Sequence, residues 1–259
     1  MQYDKTKIKG LDIHYGIEDR GEYSIFFLHG WGGSKKSWLS LLERLNIDGS
    51  KIILDFPGFG ESQKPKVAWN MSNYADFVEE FIETIIKKYA LNKKIVLIVH
   101  SFGGRNAFKL FSKKRAFKVE KLVLIASAGI KHPDTFKKKL LKFFAKISKI
   151  LKIIPGYTWI RKNIYKMINS RDYAKLEGVM KDTFLNVINE DLKPHISKIN
   201  IPTMIFWGKH DSYVPLADAH EIKSLIPNAS LKIFDDGKHG IHKTHAEDIS
   251  EEIEKFIKA

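Results

Sequence analysis

The chain has 259 residues, 44% of them hydrophobic and 29% charged, with a formal net charge of +14 and no cysteine. That length can bury a substantial core as one α/β domain, and the missing thiols exclude a disulfide framework, thiolate metal sites and a cysteine nucleophile. The start, Met1-Gln2-Tyr3-Asp4-Lys5, lacks an apolar signal-peptide region and no run reaches membrane-spanning length, so a cytoplasmic protein is expected.

In chain order, Ile8, Leu11, Ile13 and Tyr15 alternate around Gly10 and predict a hairpin of two strands within Lys7–Tyr15. Ser24–Leu28 is a compact apolar strand ending in His29-Gly30-Trp31-Gly32-Gly33-Ser34, a glycine-rich loop that brings backbone N–H groups close to a ligand. Ser37–Leu45 reads as a helix, Lys51–Leu54 as a strand, and Asp55-Phe56-Pro57-Gly58-Phe59-Gly60-Glu61-Ser62 as a turn-dense loop. Tyr74–Tyr89 has strong helical periodicity and leads into Ile95–Val99, five aliphatic residues that predict a strand buried on both faces. Lys121–Ala126, 203–207 and 230–234 are further strands, with helices at 216–226 and 246–257. Strands alternating with helices argue for a mostly parallel, doubly wound, eight-stranded sheet. A long helical interval at about 133–192 interrupts that rhythm. It reads as an inserted cap, with the core at 1–130 and 195–259 and the cap at 131–194.

After Ile95–Val99 comes His100-Ser101-Phe102-Gly103-Gly104, then a helical pattern. Strand, tight turn with serine at the apex, helix: this is the context of a nucleophile elbow, in which the helix N-terminus favours developing negative charge. Taken alone, a serine before glycine reads better as a helix cap, and Val99 stands where the G-x-S-x-G pattern has its first glycine. In open α/β sheets the ligand site lies beyond the carboxyl ends of the strands. Those ends deliver His29-Gly30-Trp31, Asp55, Ser101, His210-Asp211 and Gly237-Lys238-His239. Serine, aspartate and histidine reach one rim in that order.

With those motifs in that order the chain resembles an α/β-hydrolase of the lid-bearing serine esterase and lipase type, over essentially its full length. The resemblance implies Ser101 as nucleophile, His239 as general base and Asp211 as the carboxylate that orients it. It implies an oxyanion hole from the N–H groups of Trp31 and Phe102. Two residues depart from the pattern: Val99, and Lys238 where a small residue often precedes the histidine. The strand at 121–126 ends in Ser127-Ala128-Gly129 without a carboxylate, which leaves Asp211 as the acid. His239 is favoured over His242 and His245 because it follows Gly237 directly beyond a strand. His29 reads as a hydrogen-bonder shaping the oxyanion loop, His100 as packing beside the elbow, and Asp55 as stabilising its own turn. A serine at the elbow sets aside the relatives that open epoxides or displace halide with a carboxylate. The chemistry needs no cofactor, and no metal-binding spacing appears.

Much of the excess charge falls in the expected cap, where Lys137, Lys138, Lys139, Lys142, Lys146, Lys149 and Lys152 interleave with Leu140, Phe143, Phe144, Ile147, Ile150 and Leu151. The plain reading is a lid helix with its apolar face on the acyl pocket. The alternative adds peripheral contact with an anionic membrane; nucleic acid is a poor fit. Further cap helices at 161–169 and 176–192 would turn Ile164, Met167, Met180, Phe184, Leu185 and Ile188 inward. The expected function is cleavage of carboxylic esters with apolar acyl groups on a small-molecule substrate. The alternatives are carbon–carbon bond hydrolysis or a lyase step by the same triad, or a ligand-binding member without turnover.

Overall fold

The alternation at Ile8, Leu11, Ile13 and Tyr15 becomes a longer antiparallel hairpin, β1 (Gln2–Ile8) and β2 (Leu11–Glu18). Lys9 and Gly10 form its two-residue turn, both at positive φ (49° and 74°), as a tight hairpin with right-handed strand twist requires. The computed structural model describes residues 1–18, 21–132 and 177–259.

The remaining strands are β3 (Tyr23–Leu28), β4 (Gly49–Leu54), β5 (Ile95–His100), β6 (Val119–Ile125), β7 (Thr203–Gly208) and β8 (Ala229–Phe234). They form one eight-stranded sheet in the order β1-β2-β4-β3-β5-β6-β7-β8. β1 and β2 pair antiparallel, as do β2 and β4, and every other pair is parallel. This is the expected doubly wound sheet. β5 sits centrally, between β3 and β6, and is buried along its whole length.

Both faces of β5 are covered. Ile95, Leu97 and Val99 join the core under helices α2 (Met71–Tyr89) and α3 (Phe102–Phe111), while Val96 and Ile98 meet Trp38 and the closing helix Ala246–Lys258 on the other side. α2 begins at a reciprocal cap: Asn73 N–H donates to Asn70 Oδ1 at 3.0 Å and Asn70 N–H to Asn73 Oδ1 at 2.9 Å. It buries Phe77, Val78, Phe81, Ile82 and Ile85, each contributing about 1.5–3 kcal/mol by leaving water. Its apolar spacing locates the face, and the Asn pair locates the start three residues earlier than the periodicity does.

The helix expected at Ser37–Leu45 is instead a 3₁₀ turn, Lys35–Trp38, followed by α1 (Leu39–Leu42). Lys35 N–H is bound by the Asp55 carboxylate at 2.6 Å, which tightens the first turn from outside. The segment expected as a cap, 131–194, enters the described residues only at 131–132 and 177–194, where the helix Gly178–Asn189 lies. The basic amphipathic stretch and the helix expected at 161–169 lie outside the described residues. Among the described residues, no helix is long and apolar enough to cross a membrane.

Candidate active site

Ser101 stands where β5 must reverse into α3. Its backbone sits at φ 51°, ψ −107°, a strained conformation for any residue with a side chain. Ser101 N–H to Ile125 O at 3.1 Å and Gly104 N–H to Ser101 O at 3.0 Å hold it there. The close approach falls on the glycines that follow. A Cβ on Gly103 would lie 2.1 Å from Leu28 O, and one on Gly104 would lie 2.3 Å from Ser127 Cβ. Val99, in place of the usual glycine, is fully buried between its strand partners Leu28 and Leu124, where it fills the core without displacing the turn.

The loop after β3 passes directly against this elbow. A Cβ on Gly30 would come 2.8 Å from His100 Nδ1 and 3.3 Å from Ser101 Cβ, so only bare backbone fits. His29 is buried and fixes the loop from beneath. Its Nε2 accepts from Phe56 N–H at 3.0 Å and its Nδ1–H donates to Gly30 O at 2.7 Å, which assigns the tautomer. Burial pushes its pKa down to about 4, so the ring is neutral at pH 7. Phe102 N–H heads a helix and has no partner in the preceding turn. Among the described residues, neither it nor Trp31 N–H donates to any turn or loop hydrogen bond. Trp31 and Phe102, the expected oxyanion donors, both line the cavity that holds Ser101.

Asp55 does more than stabilise its own turn. It accepts from Glu61 N–H at 3.0 Å and binds Lys35 Nζ at 2.7 Å, with both side chains buried. Glu61 closes on the same ammonium. Burial works against the Lys35 charge, but the two carboxylates outweigh it and raise its pKa. The pair clamps the loop after β3 to the loop after β4. Nothing local in the sequence pointed to Lys35.

The acid and the histidine arrive on crossing loops. A Cβ on Gly208 would sit 2.5 Å from the Gly237 backbone, and His210 N–H donates to Gly237 O at 2.9 Å. This crossing brings Asp211 to His239. His239 Nδ1–H donates to Asp211 Oδ2 at 2.7 Å, and Ser101 Oγ–H donates to His239 Nε2 at 3.0 Å. The Asp211 side chain is fully buried, and its other oxygen accepts from the N–H groups of Tyr213 (2.8 Å) and Val214 (2.9 Å). His100 is buried and holds the histidine loop, with Nε2–H donating to His239 O at 2.9 Å. Lys238 is exposed and does not crowd the site. His245 turns to Asp236 instead, at 2.9 Å.

A cavity of about 460 Å³ opens over Ser101, walled chiefly by Trp31, Phe102, Phe184, Val187, Val214 and Tyr213. From the helix Gly178–Asn189, Met180, Phe184 and Val187 are buried, whereas Ile188, expected to face inward, is 41% exposed at the cavity mouth. Phe184, Val187 and Ile188 all line the cavity; Ile188, one turn after Phe184, falls at the edge of that stripe and stays partly open to solvent. Arg105 of α3 is buried beside the cavity and donates to two carbonyls near that helix's end, Val187 O at 2.6 Å and Glu190 O at 2.5 Å. Burial lowers its pKa to about 10, and it remains charged at pH 7. Sequence reading missed this contact across 82 positions; its signal is a charge four residues after Ser101 on an otherwise buried helix. Among the described residues, no group of three or more His, Cys, Asp or Glu side chains could hold a metal ion.

An alcohol hydrogen-bonded to an imidazole that is itself bound to a buried carboxylate can give up its proton as it attacks a carbonyl. Comparison with known proteins bears on this arrangement. A family model described as Hydrolase_4, serine aminopeptidase S33, matches residues 20–246. The uncharacterized hydrolase YugF of Bacillus subtilis is 25% identical, over 97% of this chain and 96% of its own length. The 2-hydroxy-6-oxononadienedioate/2-hydroxy-6-oxononatrienedioate hydrolase of Escherichia coli is also 25% identical, over 96% of this chain and 92% of its own length. Among solved structures, the esterase EaEST from Exiguobacterium antarcticum shares the fold, with a TM-score of 0.73 at 20% identity, covering 98% of this chain and 99% of that one. The chain belongs to the Hydrolase_4 family, described as serine aminopeptidase S33, and through it to the α/β-hydrolase superfamily of enzymes.

Proposed function

We propose that the chain is a serine hydrolase that cleaves carboxylic esters with apolar acyl groups through an acyl-enzyme. The observation that carries this reading is the unbroken hydrogen-bonded line Ser101–His239–Asp211, ending in a strained elbow under a cavity with mainly apolar walls. Ser101 Oγ attacks the ester carbonyl while His239 Nε2 takes its proton. Asp211 keeps Nδ1 protonated and stabilises the imidazolium. The N–H groups of Phe102 and Trp31 receive the negative oxygen, each worth about a hundred- to a thousandfold in rate. His239 returns its proton to the leaving alcohol, then activates the water that releases the acid.

Hydrolysis of a p-nitrophenyl ester series, from short to long acyl chain, by wild type and Ser101→Ala tests this. Turnover that falls on the order of a million-fold in the variant is expected, with the chain-length optimum sizing the cavity. Wild-type protein inert on every ester but labelled at Ser101 by a fluorophosphonate would sink the ester reading and keep the triad. A vinylogous diketone and an aminoacyl p-nitroanilide would then be the next substrates, suited to the chemistry named for the Escherichia coli relative and for the family.

A further inference from the structure

Tyr213 bears on both partners of the Asp211–His239 pair at once. Its N–H donates to Asp211 Oδ1 at 2.8 Å, and its ring lies over the His239 imidazole with centroids 5.0 Å apart and planes inclined by 28°. The bound carboxylate fixes the backbone of Tyr213, and that backbone sets the ring on the imidazole. The residue is 56% exposed, so core burial does not account for where the ring sits. His239 also meets the buried ring of His100, at 4.8 Å and a steeper 49°. Of these two rings, only that of Tyr213 is near-parallel to the imidazole.

We propose that Tyr213 is a positioning residue for His239: its ring holds the imidazole in the plane joining Ser101 to Asp211 and favours the imidazolium formed when Ser101 gives up its proton. This rests on the serine hydrolase reading above. The face of a phenol ring carries negative potential and attracts a cation more than a neutral ring. An interaction that strengthens as charge develops lowers the barrier and appears in kcat. The same ring lines the cavity, and a mere wall would instead act on the binding of long acyl chains.

The test compares wild type, Tyr213→Phe and Tyr213→Leu on p-nitrophenyl acetate and p-nitrophenyl octanoate, together with the rate of Ser101 labelling by a fluorophosphonate. The expected result is a loss in kcat on the order of tenfold for the leucine variant. That loss should be the same on both esters, with KM and the thermal midpoint unchanged, and phenylalanine should restore kcat. The labelling rate falls in parallel. A leucine variant with wild-type kcat and labelling overturns the assignment, as does a loss confined to KM for the octanoate. A phenylalanine variant as slow as leucine also overturns it, by moving the role to the hydroxyl. Wild-type protein that neither turns over nor labels sinks the triad reading itself, a different outcome from equal labelling of wild type and leucine variant.

Discussion

His239 and His242 lie three residues apart and both pack against the ring of His100, at 4.8 and 4.1 Å, yet they are chemically opposite sites. His239 keeps 19% of its side chain exposed and has both ring nitrogens engaged. His242 is 3% exposed and packs against Trp38, and among the described residues neither of its nitrogens has a hydrogen-bond partner. Burial pushes its pKa down to about 3, with Lys243 and His239 adding repulsion. Such a ring stays neutral near pH 7. It works as an aromatic core residue. Proximity to the loop that carries His239 confers no role. The partners of the two nitrogens do.

Replacing each of the two histidines in turn is the harshest way to break that contrast. His239→Ala should cost on the order of a million-fold in p-nitrophenyl ester turnover, as removal of a triad base does, whereas His242→Leu should stay within a few-fold of wild type. A collapse of the second variant, with its fold intact by circular dichroism, would mean that the two roles are misread. Next in size is a buried charge with partners, set against a buried ring without them. Lys35→Met leaves the buried Asp55 carboxylate without its cation and should destabilise the fold by about 3–5 kcal/mol in urea titration. An unchanged urea midpoint would show that the clamp between the two loops contributes nothing.

The third contrast is in pH. His29, His100 and His242 all have pKa values lowered by burial, so below about pH 6.5 the unfolded chain binds protons that the native chain does not. Stability is then complete above pH 6.5 and falls as pH drops towards 4, by about 1.4 kcal/mol per pH unit for each such histidine. Thermal midpoints measured from pH 7 to 4.5 should show that slope. His242→Leu should flatten it by one proton and, by removing partnerless polar atoms from the core, raise stability at pH 7 by about 1 kcal/mol. A slope as steep in the variant as in wild type would place His242 in contact with water.

The rim of the sheet was legible because its signals are local: an aliphatic run, then a serine, then two glycines whose missing Cβ atoms the turn requires. Successive strand ends lie side by side, so Ser101, Asp211 and His239 could be placed together without any contact being known. What stayed hidden crosses the chain. Lys35 finds Asp55 across 20 positions, and Arg105 finds Val187 across 82. No periodicity encodes such pairs. The 3₁₀ turn at Lys35–Trp38 escaped for the same reason, since Trp38 and Leu41 repeat like a helix while a distant carboxylate grips the first N–H. His242 looked like a candidate base because sequence shows a titratable group and not its surroundings.

The arginine that reaches Val187 and Glu190 is on the helix that begins immediately after Ser101. The wall carrying Phe184 and Val187 is therefore tied to Ser101 through the first four residues of that helix. Substitutions on that wall can resize the chamber while Ser101 keeps its place. Selectivity and reactivity are in this way separately heritable, and a library randomised at Phe184, Val187 and Ile188 alone would explore the first without forfeiting the second.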